Sequence, residues 1–157
     1  YSSQMLKVTD NSVINFTGYV IHAAIHRARP EVACVMHTHT TAGMALSALE
    51  CGLLPITQHG CRFYNRIGYH DFQGIVVDVN EQPALVNDLG NHKAMILKNH
   101  GLLTVGRTIP EAFSIMHFLE RAAQAQMMAM SAGQKLNFPP PEVCERTARQ
   151  FGDEVRI

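Results

Sequence analysis

The chain has 157 residues, 46% of them hydrophobic, which suits one domain with a substantial core and is too short for two comfortable ones. Thirteen basic residues balance thirteen acidic ones, so no overall charge draws the protein to nucleic acid or to an anionic membrane, and a small molecule or compact partner is expected instead. No run reaches the length of a membrane span, the opening YSSQMLKVTD lacks the marks of a signal peptide, and Cys34, Cys51, Cys61 and Cys144 form no CxxC pair; these features predict a reducing, cytoplasmic setting.

From Phe16 to Arg29 the apolar residues Phe16, Val20, Ile21, Ala24, Ile25 and Ala28 recur at helical spacing, and Pro30 supplies a stop. VACVMHTH then reads as a short buried strand. TTAGMALSALECG follows as a helix with Ala42, Ala45, Leu46 and Leu49 on one face and Gly52 as its C′ residue. TQHGCRFYNR is irregular and reads as a loop. GIVVDV (74–79) and KAMILKNHGLLTVG (93–106) predict further strands, the second interrupted by Gly101, with a short helix from about Pro83 to Leu89 between them.

Thr108 to Glu111 has the form of a capping box with Pro110 in the first turn, opening a long helix that ends near Gly133. Its predicted apolar stripe is Ala112, Phe113, Met116, Leu119, Ala123 and Met127, and the cluster Met127, Met128 and Met130 fits helix core or a subunit interface better than a promiscuous groove. NFPPPE turns the chain into a charged surface helix, Glu142 to Phe151. Strands and helices alternate, which predicts an α/β domain with its sheet covered by helices.

Nine histidines are the anomaly, because an imidazole is costly to bury unless its nitrogens find partners. His37 and His39 stand two apart where a strand ends, so both rings project to one side, and His100 lies where a second apolar run gives way to Gly101. Three neutral imidazoles around a divalent ion leave a coordination position open, the arrangement of a catalytic metal. The plainer alternative is three core histidines bonded to backbone carbonyls. His22 and His26 share one face of the first helix but lack the acidic neighbour of an HExxH motif, which favours surface or supporting roles. His59, His70, His92 and His117 are dispersed, and of these only His59 lies in a loop that reaches toward a site. No GxGxxG, Walker or GxSxG motif is present.

HAAIHRARPEVACVMHTHTTAGMALSALECGLLPI, YHDFQGIVVD and LKNHGLLTVG together resemble the class II aldolase/adducin family over nearly the whole chain, nearest its adducin-like bacterial branch. The resemblance implies a three-layer α/β/α sandwich around a mostly antiparallel sheet, replacing the parallel sheet that alternation alone favours. It implies one such domain over residues 1–157, lacking its N-terminal portion. It also implies a homotetramer with sites at subunit interfaces, and Zn²⁺ held by His37, His39 and His100 as Lewis acid in a lyase or decarboxylase reaction on a small carbonyl or hydroxy compound. Fe²⁺ suits the same ligands and would imply an oxygenase.

The chain departs from the family at one telling place. The aldolases' acid/base glutamate falls four residues before His22, where this chain has Gly18, and loss of such a group costs about 10²–10⁴ in rate. Phe16 and Thr17 stand where aldolases place phosphate-binding serines, so a sugar phosphate is not implied. A neighbouring subunit's tyrosine aligns with His59, leaving His22 and His59 as the catalytic candidates. A non-catalytic oligomerisation module like the adducin head is the competing expectation, with Gly18 recording lost catalysis. The chain shows no basic tail of the kind adducins use at the membrane skeleton.

Overall fold

Strand alternation divides the core in two. In β1 (Cys34–Thr38), β3 (Ala94–Leu97) and β4 (Gly101–Gly106), Val35, Met95, Leu97, Leu103 and Val105 project to one face of the sheet, while Met36, Ala94, Ile96 and Leu102 project to the other. The computed structural model describes the backbone of residues 16–74 and 82–153, and side chains over 18–74 and 82–152. Within these residues the sheet runs β1-β4-β3-β2, where β2 is Gly68–His70. β1 and β3 both pair antiparallel with β4, and only β2 runs parallel to its neighbour β3.

One face is covered by α1 (Phe16–Ala28) and α4 (Gln82–Leu89), which contribute Ile21, Ala24, Ile25, Leu85 and Leu89 to the first core. The other face is covered chiefly by α2 (Thr41–Ser47) and α5 (Ile109–Ser131), through Leu46, Ile115, Met116, Leu119 and Ala123. α3 (Gln58–Arg62) and α6 (Pro141–Asp153) pack together beside α5. Helices on both faces of a mostly antiparallel sheet make the three-layer α/β/α architecture.

Several local signals behave as their chemistry requires. The Thr108 side chain accepts the Glu111 amide at 3.2 Å, and Gly133 takes a φ of 65°, so α5 is capped at both ends where the sequence indicated. The Glu111 carboxylate reaches back one residue further than a capping box requires, accepting the Arg107 amide at 2.7 Å. Gly52, with φ 61°, leaves room for the Tyr69 ring, whose hydroxyl accepts the Leu53 amide at 3.1 Å.

Four expectations are corrected. Gly52 is not the C′ residue of α2, which ends at Ser47 with Ala48 as its C-cap. Phe113 is 61% exposed and Ile115 takes its place in the core, because the stripe of α5 facing the sheet runs through 112, 115, 116, 119 and 123. The segment read as a loop around His59 contains α3, with Thr57 as N-cap accepting the Gly60 amide. The run 93–106 is a hairpin of two strands, turning at Lys98–His100 with Asn99 in the left-handed region at φ 55°. Gly74 excepted, the strand expected at 74–79 lies outside the described residues. The four cysteines are free, and no described helix is long and apolar enough to cross a membrane.

Candidate metal centre

β1 has to end for its histidines to serve a site. Thr40 ends it: its side chain accepts the Gly43 amide and caps α2, so the chain turns just past His39. His37 follows Val35 in the strand alternation, which sends it toward the α1/α4 side, and Thr38 points the opposite way, with its hydroxyl 3.4 Å from Met116 Sδ on α5. His100 arrives from the other direction, at the end of the β3–β4 turn. Asn99 tolerates the left-handed conformation that makes this turn, and its amide is held by the Ser47 carbonyl at 2.9 Å.

Gly101 is needed for space. A Cβ there would strike the Thr38 carbonyl oxygen and come within 3.2 Å of His39 Cδ2 and 3.4 Å of His37 Cε1. The His-Gly pair therefore brings one ring in and keeps the floor beneath the other two clear.

The three rings converge. His37 Nε2 lies 2.7 Å from His39 Nε2 and 3.2 Å from His100 Nε2, and one nitrogen from each of the three falls within 4.8 Å of the others. Ring centroids are 4.5 to 4.7 Å apart. His37 Nδ1–H donates to the Leu102 carbonyl at 2.8 Å, which fixes the tautomer and leaves Nε2 as a bare lone pair facing the other rings. Two neighbouring N–H groups cannot both use that lone pair, whereas a cation accepting three lone pairs satisfies all three rings. Tetrahedral Zn–N bonds of about 2.0–2.1 Å place ligand nitrogens about 3.3 Å apart, close to the 3.2 Å between His37 and His100 and reached from the 2.7 Å between His37 and His39 by a small ring movement. The donor set therefore fits a divalent ion.

The electrostatics agree. Burial pushes His37 down to about 4, with further lowering from His100, His39 and His22 against a weaker opposite pull from the Leu102 carbonyl. His100 is lowered by burial and then by His39. Both rings are held in the neutral form a metal requires.

The catalytic candidates fare differently. His22 is half-buried on α1 and lowered by burial and then by His26, and its charge is felt at His37, so it stands at the edge of the triad. His26 is the plainer kind of histidine, with Nδ1 3.0 Å from the Val32 carbonyl. The His59 ring packs tilted against Phe118 of α5, with centroids 4.9 Å apart, and is lowered by burial, then by Arg121, His117 and Arg62. No triad residue figures among those influences, so within a single chain His59 belongs to a separate cationic group. Gly18 lies one helical turn before His22, and a Cβ there would meet nothing within 4 Å among the described residues.

Sequence reasoning missed His70. It is 6% exposed at the end of β2, with Nδ1 2.7 Å from Asp88 Oδ2 on α4. Its signal was the spacing GYH at the close of a short strand, masked by the strand's brevity.

These features define a three-histidine site at the strand ends of an α/β/α sandwich, and comparison places it in a family. The Class II Aldolase and Adducin N-terminal domain matches residues 3–127, and the chain belongs to that family. A solved aldolase II superfamily protein from Pseudomonas syringae superposes with a TM-score of 0.84 at 49% identity, covering 87% of this chain and 56% of the other. Alpha-adducin of Rattus norvegicus is 41% identical over 123 residues, covering 78% of this chain and 17% of adducin. Decarboxylase NovR of Streptomyces niveus is 39% identical over 143 residues, covering 90% of this chain and 53% of its own length. The chain spans about half the length of the bacterial curated relatives it matches.

Proposed function

We propose that this chain is the core of a divalent-metal-dependent enzyme of the class II aldolase type, a lyase or decarboxylase acting on a small carbonyl or hydroxy compound. The observation that carries the reading is the convergence of His37, His39 and His100 on one point, with the His37 tautomer fixed by Leu102 so that its free nitrogen faces inward. His37, His39 and His100 are the proposed ligands and Zn²⁺ the proposed ion. A bound divalent cation would act as Lewis acid on a substrate carbonyl and stabilise the enolate charge. The chain's own contribution is to orient the three rings and to favour the neutral form of His37 and His100. The relative named as a decarboxylase supports this class without fixing the substrate. Gly18 removes the usual carboxylate, so proton transfer falls to another group. We further propose a homo-oligomer, tetrameric as in the family, with the exposed Ile109, Phe113 and Met128 of α5 available for contact.

Elemental analysis of protein purified without chelator tests the centre. About one zinc per chain, lost in His37→Ala, is expected. Stoichiometric iron without zinc would move the reading to an oxygenase.

Gly18 together with the likeness to alpha-adducin favours a second reading, an oligomerisation module whose histidines serve packing. His37→Ala protein that keeps its metal content but loses its oligomeric state in light scattering would select this second reading.

A further inference from the structure

His70 has a buried ring, a carboxylate partner and no part in the triad. β2 pairs in parallel with β3 so that His70 stands beside Leu97, and Tyr69 turns to the opposite core. His70 therefore lies on the α1/α4 face, the same face to which His37 projects two strands beyond β3. His70 and His100 line one shallow, open cleft, shared with Phe72 and Lys98.

The orientation of the ring is built in. The end of α4 passes so close to β2 that a Cβ on Gly68 would strike the Asp88 carbonyl oxygen, so glycine at 68 is what lets Asp88 reach His70. Nδ1–H donates to Asp88 Oδ2, which leaves Nε2 carrying the lone pair, and Nε2 makes no hydrogen bond among the described residues. A histidine that only tied α4 to β2 would need the Asp88 contact alone and would have no reason to wall a cleft shared with a candidate metal ligand. The other charged groups at this cleft are Lys98 and Asp71, paired to each other at 2.6 Å, so the dyad is the proton-accepting pair left uncommitted.

We propose that His70, oriented by Asp88, is the acid/base residue of this site and serves a substrate held at the triad in place of the carboxylate missing at Gly18. This rests on the metal-site reading above. In the step, neutral His70 Nε2 takes a proton from a carbon next to the substrate carbonyl. The C–H bond breaks, its electron pair enters the enolate, an N–H bond forms, and Asp88 stabilises the imidazolium. Reversal returns the proton to carbon, so the ring is regenerated. Asp88 is a positioning residue.

The test uses two readouts on the whole chain. The first is Co²⁺ binding followed by ¹⁵N spectra of the histidine rings, with His70 assigned by its absence in His70→Gln. One equivalent of Co²⁺ bound through His37, a ring protonated on Nδ1, and a paramagnetic shift of His70 are expected. Failure to bind Co²⁺ overturns the metal reading and this inference together; Co²⁺ bound with His70 protonated on Nε2 or unshifted overturns this inference alone. The second is deuterium uptake from D₂O at the carbon positions of hydroxyacetone, with Zn²⁺-loaded protein. Metal content equal to wild type is expected in His70→Gln and Asp88→Asn, with uptake reduced about 10²-fold or more in the first. Asp88→Asn should slow uptake less and shift its pH profile. Equal uptake in wild type and His70→Gln, or none in wild type above free Zn²⁺, removes His70 from the acid/base role. If His70→Gln does not fold, Asp88→Asn decides the matter by the same pH profile.

Discussion

The two faces of the sheet use the same strands for different ends. Toward α2 and α5 the buried polar side chains of the sheet and of α5 are satisfied inside the protein: the Thr104 hydroxyl donates to the Ala112 carbonyl at 3.0 Å, and the fully buried Gln126 amide bridges the Gly52 carbonyl and the Leu54 amide. Toward α1 and α4 the core is equally apolar at the bottom, but at the strand ends it gives way to His37 and His70, each with Nδ1 bonded to the protein; His37 turns Nε2 to the other two rings, and His70 Nε2 makes no hydrogen bond among the described residues. A change of one position along a strand moves a residue between these two environments. Stability and chemistry are therefore separable by the parity of residue numbers within a strand, and substitutions can be chosen to strike one without the other.

The all-or-none effect is expected on metal. A bound ion stabilises the folded chain by about 2.7 kcal/mol when its free concentration is 100 times Kd, so wild-type protein should melt well higher with Zn²⁺ than with chelator. In His37→Ala the two melting curves should coincide while the chelator-treated protein melts near wild type. A zinc-dependent shift retained in that variant would separate metal binding from the triad.

The converse substitution is Leu102→Ala, one residue from His37's partner Leu103 but on the sealed face. Removing a fully buried leucine should cost about 2–5 kcal/mol in chemical unfolding. Zinc stoichiometry should stay at the wild-type value. Loss of zinc in folded Leu102→Ala protein would show that the two faces are mechanically coupled through β4.

What the sequence made legible follows the same division. The triad could be read because each member sits beside a signal with one physical meaning: strand spacing for His37 and His39, and a glycine turn for His100. The long helix could be read from its cap at Thr108 and its stop at Gly133. Phe113 could not be placed, because its helical spacing suits either the core or the exposed edge, and only the neighbouring elements decide. His70 was hidden for a different reason. Its partner Asp88 is 18 residues away on another element, and the contact depends on how closely α4 approaches Gly68. The order of the strands likewise depends on pairings that no local pattern encodes, and the family resemblance, not alternation, pointed to the antiparallel sheet.

A smaller effect is expected at the start of α5. Burial raises the Glu111 carboxyl, but hydrogen bonds from Lys93 and from the Arg107 amide outweigh it and leave the group below its ordinary 4.5. The folded chain then holds fewer protons at this site than the unfolded chain as pH drops below 4.5, so stability present above that value is lost as pH falls through the folded value. Glu111→Gln should flatten this part of the stability curve measured by urea unfolding between pH 5 and about 3. It should leave zinc binding alone, since the pair ties α5 to the far end of β3.

The smallest effect is at Gly18. Glycine inside a helix is disfavoured relative to alanine by about 0.5–1 kcal/mol, and a Cβ at this position meets nothing within 4 Å among the described residues, so Gly18→Ala should stabilise the chain by up to that amount. The open space also leaves room for a longer side chain on the same helix face as His22. Gly18→Glu is therefore expected to fold, to keep its zinc, and to raise deuterium uptake in His70→Gln protein, because it returns a carboxylate to the edge of the triad. Destabilisation by Gly18→Ala would mean that this space is filled in solution, and loss of the oligomeric state in the same variant, measured by light scattering, would assign the filling to another subunit, as the oligomerisation reading requires.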